Sequence, residues 1–356
     1  SLVLLFCTGC SQSAAPRSTP SPTAEEQTLS SPPETPAEAP SEDEEKETVS
    51  NEKTVLAPAQ EASFTLCAYL PVSSMTQGAA AVAEEYAGSI AALDYLVLNT
   101  GAYWDENGAL SLSDELLDAI ETLQGKTALW CTVNPQGALI REGTAGQSID
   151  SPQERQALAQ EIAAFAEQYG LAGIDIDWEF PLDDEWEDFS TFLIALKDTL
   201  SRNSEPVALS LALYPEEIAL SEEAIAALDR IHVMAYDQFD SEGFHSTMQA
   251  AEDAVAYFTA LGASPQQLVL GIPAYGRPLD GSAQWVFYKD IDPESISGEN
   301  PDLVGDISFN SAATAAQKTQ YALEQNLGGV MVYQLLCDRN DQDALILACA
   351  NMAENA

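Results

Sequence analysis

The sequence predicts an α/β protein, a (β/α)8 TIM barrel preceded by a disordered N-terminal tether, and three observations carry that expectation. Eight short runs rich in β-branched and aromatic residues recur from residue 63 onward, segments of helical period separate them, and no Gly-x-Gly-x-x-Gly turn follows the first run. Parallel strands with intervening helices close most economically into a barrel, whereas an open doubly wound sheet would be expected to carry the glycine turn.

The eight runs are FTLCAYL (64–70), DYLVLNT (94–100), TALWCTV (127–133), AGIDIDWEF (172–180), VALSLAL (207–213), RIHVMAY (230–236), QLVLGIPAY (267–275) and GGVMVYQLL (328–336). Their length and composition suit strands buried on both faces. Between the third and fourth lies SPQERQALAQEIAAFAEQYG (151–170), where Ser151 is placed to cap a helix, Pro152 fits its first turn and Gly170 ends it. Residues 62–356 therefore read as one barrel domain, since barrels of roughly 250 residues fold as a unit.

The chain opens SLVLLFCTGCSQ, an apolar run ending in small residues and a cysteine. It resembles the tail of a bacterial lipoprotein signal, which implies lipidation at Cys10, and the missing Met and basic residues imply that the signal began upstream. Residues 1–10 are read as this remnant and 11–61 as an acidic Ser/Pro/Thr/Glu-rich linker, too poor in apolar side chains to offset its ordering entropy. The expected location is the extracellular bacterial cell surface, with the membrane reached only through the lipid anchor. A net charge of −44 argues against nucleic acid and anionic lipid as partners. Of six cysteines, Cys67, Cys131, Cys337 and Cys349 fall in strands or near the last helix, where a small buried hydrophobe is the default.

The segment most informative about chemistry is GIDIDWEFP (173–181). In an extended strand, Asp175, Asp177 and Glu179 share one face, about 7 Å apart at ~3.3 Å rise per residue, while Ile174, Ile176 and Trp178 share the other. The apolar set would pack under helices and the acids would line the barrel. Like charges that close push at least one pKa up, and buried carboxylates need partners or a proton. The expectation is a proton shared along the row, with Glu179 outermost and able to pass it to a leaving group. A metal site is the competing reading; the only histidines, His232 and His245, fall outside this segment, so neither metal nor cofactor is expected. A solvated edge strand is opposed by the apolar opposite face.

These residues resemble the signature strand of glycoside hydrolase family 18, the chitinase-like family, whose pattern is Asp-x-x-Asp-x-Asp-x-Glu. The resemblance extends over the region from residue 63 onward. Met234-Ala235-Tyr236-Asp237 is similar to its sixth-strand segment, Gly271 to Arg277 to its seventh, and Gly329 to Tyr333 to its last. It implies Glu179 as general acid/base, Asp177 as the residue orienting the substrate's acetamido group, Asp175 as inner partner of Asp177, and Tyr236 and Asp237 as further site residues. It also implies retaining, substrate-assisted cleavage of β-1,4-linked N-acetylglucosamine by a monomer. An endo-β-N-acetylglucosaminidase acting on N-glycans or peptidoglycan, and a non-catalytic sugar-binding lectin, are the alternatives; lectin-like members typically lack the terminal Glu.

Three departures stand out. Ala172 replaces the first Asp, which removes the deepest acid and bears on how Asp175 is held. CTVNPQG (131–137) replaces the third-strand Ser-x-Gly-Gly, and Tyr333 replaces the tryptophan that floors the sugar site. Tyr103, Trp104, Trp285 and Tyr333 are candidate stacking platforms, each equally suited to packing. Arg277 is placed either to pair with an Asp or to contact substrate, and Met234 to wall the sugar site. The stretch from Pro278 to Asn310 is too short for a full inserted subdomain, so a shallow cleft is expected.

Overall fold

A computed structural model describes residues 64–296 and 300–356. Cys7, Cys10, the signal remnant at 1–10 and the linker at 11–61 lie outside the described residues.

Eight parallel strands form a closed ring: β1 (Thr65–Pro71), β2 (Tyr95–Trp104), β3 (Ala128–Pro135), β4 (Gly173–Ile176), β5 (Ala208–Leu213), β6 (Arg230–Val233), β7 (Leu268–Pro273) and β8 (Gly329–Tyr333). Each pairs with its successor, and β1 pairs with β8 through Thr65 opposite Gly329, which closes the barrel. All eight predicted runs are strands of this ring. The helix at Pro152–Tyr169 begins with the expected Ser151 cap, completed by Glu154 as a capping box, and ends at Gly170 in the left-handed region at φ 62°.

Side-chain alternation sorts the strands into two layers. Leu66, Leu96, Ile174, Leu209, Ile231, Leu270 and Val332 face the surrounding helices in one large aliphatic core. Cys67, Tyr69, Tyr95, Val97, Trp130, Val269 and Met331 point into the lumen and form a second, aromatic cluster. Gly173 makes room for that cluster, since a Cβ there would sit 2.1 Å from the Trp130 ring. The four cysteines Cys67, Cys131, Cys337 and Cys349 are buried and unpaired, as expected of small hydrophobes.

Three boundaries differ from the sequence reading. β4 stops at Ile176 and β6 at Val233, so Asp177, Glu179, Tyr236 and Asp237 lie on the loops that leave those strands rather than within them. β7 is followed by a separate strand, Tyr275–Pro278, which joins Val286–Phe287, Leu303–Val304 and Ile307–Ser308 in a small antiparallel sheet. That sheet occupies the stretch expected to be too short for a full subdomain. Chain reversal at a strand end requires irregular backbone, and Asp237 takes φ 62° where the loop turns.

Candidate active site at the mouth of the barrel

The acids predicted to form a row meet three different environments. Asp175, at the centre of the lumen, is fully buried. Its Oδ1 accepts from Ser210 Oγ at 2.6 Å and faces His232 Nδ1 at 3.1 Å, while its Oδ2 accepts from the Tyr69 hydroxyl at 2.9 Å and Thr132 Oγ1 at 3.0 Å. Three hydroxyls thus hold this carboxylate, with the His232 ring against its fourth lone-pair site. The expected proton sharing along the whole row is corrected: the Asp177 side chain bonds to Glu179, while Asp175 is held by hydroxyls from other strands.

Ala172 gives a second correction. It is exposed at the start of the strand, its N–H donating to Leu129 O and its carbonyl accepting from Ala208 N, so it is not a lumen position. Its departure from the family pattern takes nothing from the surroundings of Asp175.

Asp177 and Glu179 form the coupled pair. Their side chains share a hydrogen bond. The Asp177 backbone N–H donates to Asn134 Oδ1 at 2.8 Å, which fixes the loop just past β4. Burial, followed by the charges of Glu179 and Asp175, holds the Asp177 carboxyl well above the usual carboxylate range. The Glu179 carboxyl is also raised, first by the protein crowded around it and then by Asp237, with the bond from Asp177 opposing. The rest of the Glu179 side chain opens to solvent at the mouth. Asp177 Oδ1 is enclosed and has no hydrogen-bond partner among the described residues. Two carboxyls that share a hydrogen bond hold a proton between them, and no N–H or other hydroxyl group among the described residues donates to Asp177 Oδ1.

Tyr236 lies buried beside this pair, and burial, reinforced by Tyr333 and the two carboxyls, keeps its phenol protonated. Gly271 on β7 leaves room for it, since a Cβ there would meet the Tyr236 ring at 2.8 Å. Asp237 accepts from the Tyr275 hydroxyl at 2.9 Å and forms an ion pair with Arg277. Of the two roles considered for Arg277, the structure shows the pairing: it is buried, bonded to Asp237 and to Ser282 O, and lies 5.2 Å from the Phe239 ring centroid. Met234 is a buried member of the lumen cluster.

The aromatic candidates divide. Trp104 is fully buried in the outer layer, donates Nε1–H to Ser148 Oγ at 2.9 Å and packs on Trp178, so no sugar reaches it. Tyr103 is half-buried on the opposite face of β2. Trp285 stands at the mouth, 36% exposed, stacked on Tyr275 at 3.9 Å and 4°. Its edge meets Tyr333, 6.2 Å away, and Tyr333 in turn lies offset-stacked 5.6 Å from Tyr236. Sequence reasoning missed Tyr69, Thr132, Ser210, His232 and Asn134, one or two residues from each of four strands, with no local pattern among them.

Fold and site together define a (β/α)8 barrel with its titratable cluster at the C-terminal ends of the strands, the position of chemistry in this architecture. The chain belongs to Glycosyl hydrolases family 18, whose sequence profile matches residues 142–338. It is 25% identical over 252 residues to Chitinase 1 of Aphanocladium album, covering 56% of this chain and 60% of that protein. It is 27% identical over 181 residues to Probable chitinase 2 of Drosophila melanogaster, covering 45% of this chain and 37% of that one. The chain thus spans less than two thirds of these relatives' length. Among solved structures, a chitinase from Bacteroides thetaiotaomicron shares the fold with a TM-score of 0.67 at 21% identity, over 82% of this chain and 96% of that one.

Proposed function

We propose that the barrel is a retaining glycosidase that cleaves β-1,4-linked N-acetylglucosamine, in chitin or chito-oligosaccharides, by substrate-assisted catalysis. The observation that carries this reading is the hydrogen-bonded Asp177–Glu179 pair at the mouth of the barrel, with Asp177 Oδ1 enclosed and met by no N–H donor among the described residues. An acetamido N–H supplies the donor that this oxygen lacks. Family membership and the chitinases among the relatives support the substrate class.

In the first step the acetamido carbonyl oxygen attacks the anomeric carbon, the bond from that carbon to the glycosidic oxygen breaks, and the proton shared by the pair passes through Glu179 to the departing oxygen, leaving Asp177 a carboxylate. Asp177 accepts the hydrogen bond from the acetamido N–H and balances the positive charge of the oxazolinium ring that forms. The protonated Tyr236 hydroxyl steadies the reacting sugar. In the second step water attacks the same carbon, Glu179 takes its proton, and the acetamido group is restored with net retention. Asp237, tied to Arg277 and Tyr275, contributes charge to Glu179 from behind.

The decisive experiment incubates the protein with chitin oligomers, a high-mannose glycopeptide and peptidoglycan and identifies products by mass. Chito-oligosaccharide cleavage supports the reading, and cleavage of only the glycopeptide or peptidoglycan replaces it with the glucosaminidase alternative. Binding without products leaves a lectin. We also propose an extracellular, lipid-anchored protein, supported by the residues SLVLLFCTGC. Retention of wild-type membrane partitioning by Cys10→Ala removes that anchor.

A further inference from the structure

His232 is the one lumen residue whose two ring nitrogens are both engaged around the carboxyl row. It is fully buried on β6, with Nδ1 2.7 Å from the Tyr69 hydroxyl and 3.1 Å from Asp175 Oδ1, and Nε2 2.9 Å from the Tyr95 hydroxyl. The ring is held on three sides, edge-on to Tyr69 at 5.5 Å, beside Tyr95 at 5.9 Å and tilted against Trp130 at 6.1 Å, so it cannot turn over.

Proton counting fixes the state of this cluster. Tyr69 and Tyr95 both keep their phenolic protons, because burial raises each well above its ordinary range. Tyr69 spends its proton on Asp175 Oδ2, so its oxygen, 2.7 Å from His232 Nδ1, can only accept there, which puts a hydrogen on Nδ1. An imidazole whose single hydrogen is on Nδ1 accepts at Nε2, where the Tyr95 hydroxyl, also bonded to Cys67, lies 2.9 Å away. That N–H points at the Asp175 Oδ1 and Tyr69 oxygens together. The other tautomer would set the Nδ1 lone pair against Oδ1 and leave Asp175 one donor short.

We propose that His232 is a positioning residue for the carboxyl pair: its Nδ1–H completes the four-donor shell that closes Asp175 to Asp177, so that Asp177 stays bonded to Glu179. The inference rests on the glycosidase reading above for its effect on rate, but its hydrogen-bond assignment does not. Tyr95 acts one step further out by fixing which imidazole nitrogen carries hydrogen. With the His232 donor removed, Asp175 Oδ1 regains an open acceptor site, and the Asp177 hydroxyl gains an inward partner that competes with Glu179.

The test has two arms on the full chain. With only two histidines in the chain, the imidazole nitrogen spectrum of the 15N-labelled protein contains two spin systems, and His245→Gln identifies the other. The expected result is His232 protonated at Nδ1 and accepting at Nε2; an Nε2–H tautomer overturns the proposal. In the second arm, on a glycan that the wild type cleaves, His232→Leu is expected to lower kcat by about 10- to 100-fold with little change in KM. His232→Asn, which returns an amide N–H near the Nδ1 position, restores most of that loss. Tyr95→Phe is the milder variant should His232→Leu not fold, and it lowers kcat in the same direction. Wild-type kcat in both His232→Leu and Tyr95→Phe, with Glu179→Gln inactive, removes the positioning role and leaves the glycosidase reading intact. A wild type inactive on every glycan removes both.

Discussion

The two layers of the barrel solve the same packing problem with different chemistry. Between strands and helices, side chains such as Ile174, Leu193, Leu209 and Phe192 fill space without polar atoms to satisfy. Inside the ring, Tyr69, Tyr95 and Trp130 fill space while Asp175, Thr132, Ser210 and His232 exchange hydrogen bonds with no water-facing surface among them. The outer layer tolerates approximation, because apolar contacts are non-directional. The lumen does not, because each buried polar atom must meet a partner of the right sense. The difference teaches where stability and function part: the outer layer holds the ring closed, and the lumen holds a proton in place at its mouth.

The largest expected effect isolates the proton. Glu179→Gln keeps the volume of the side chain and removes the acid, so turnover should fall by about 1,000-fold, within the range that general acid–base catalysis supplies. The melting temperature should stay near that of the wild type, since Glu179 is exposed at the rim. Because burial raises both carboxyls of the pair, kcat/KM of the wild type should fall on the alkaline side with an apparent pKa above the ordinary Glu value of 4.5. A rate profile that declines through 4.5 would mean that the pair is not holding its proton.

The next effect sets the layers against each other. Asp175→Ala leaves three hydroxyls and an imidazole N–H aimed at an empty place in a dry lumen, and breaking such a buried polar set costs about 3–5 kcal/mol. Leu193→Ala in the outer layer should cost about 2–5 kcal/mol by lost burial and cavity formation. The two overlap in denaturant midpoint and separate in activity: Asp175→Ala should lose turnover in its folded fraction, whereas Leu193→Ala should keep wild-type kcat and KM. Equal activity loss in both would erase the distinction between the layers.

The outer layer could be read from the chain in one pass, since β-branched and leucine runs mark strands and a 3.6-residue period marks helices. The acids of the site were equally visible, being crowded into 175–179. What surrounds them was not. Tyr69, Thr132, Ser210 and His232 sit 106, 43, 35 and 57 residues from Asp175 along the chain, each an isolated residue in an ordinary strand. Ring closure alone brings them together. Trp104 was hidden too: β2 shifts register between Leu98 and Ala102, so alternation counted from Leu96 does not by itself put Trp104 under the helices, where it packs. The end of β4 was overrun because Asp177-Trp178-Glu179-Phe180 continues the strand's alternation, and that of β6 because Met234-Ala235-Tyr236 continues its apolar composition.

Lys318 is an exception that sharpens the contrast, a fully buried amine outside the lumen. Its Nζ donates to Ser246 O at 2.7 Å, Ser246 Oγ at 2.9 Å and Asn310 Oδ1 at 2.7 Å, tying the helix Ala312–Glu324 to the loop after β6. Burial pushes its pKa down to about 7 from 10.5. Between pH 7 and 9 the unfolded chain therefore binds a proton that the folded chain has released, so stability rises with pH across that window, by about 2 kcal/mol from this residue. Below pH 7 both states are protonated and the full penalty of the buried ammonium applies. Lys318→Met should abolish the rise, measured as denaturant midpoints at pH 7, 8 and 9; an unchanged slope would place the amine in contact with water.

The smallest effect concerns the rim, where the two kinds of packing meet. Trp285 belongs to neither layer: one face lies on Tyr275 at 3.9 Å, and the ring remains 36% exposed beside Tyr333. Tyr333 offers less ring area than an indole, so stacking at the mouth falls to Trp285 if sugars bind there. An aromatic platform contributes about 1 kcal/mol beyond its buried area. Trp285→Ala should therefore raise KM for a long chito-oligosaccharide several-fold while leaving kcat unchanged, because stacking remote from the reacting carbon is felt equally in ground and transition states. Trp285→Phe should recover part of the loss. A lowered melting temperature with unchanged KM would instead assign Trp285 to packing over Tyr275, extending the outer layer's logic to the edge of the site.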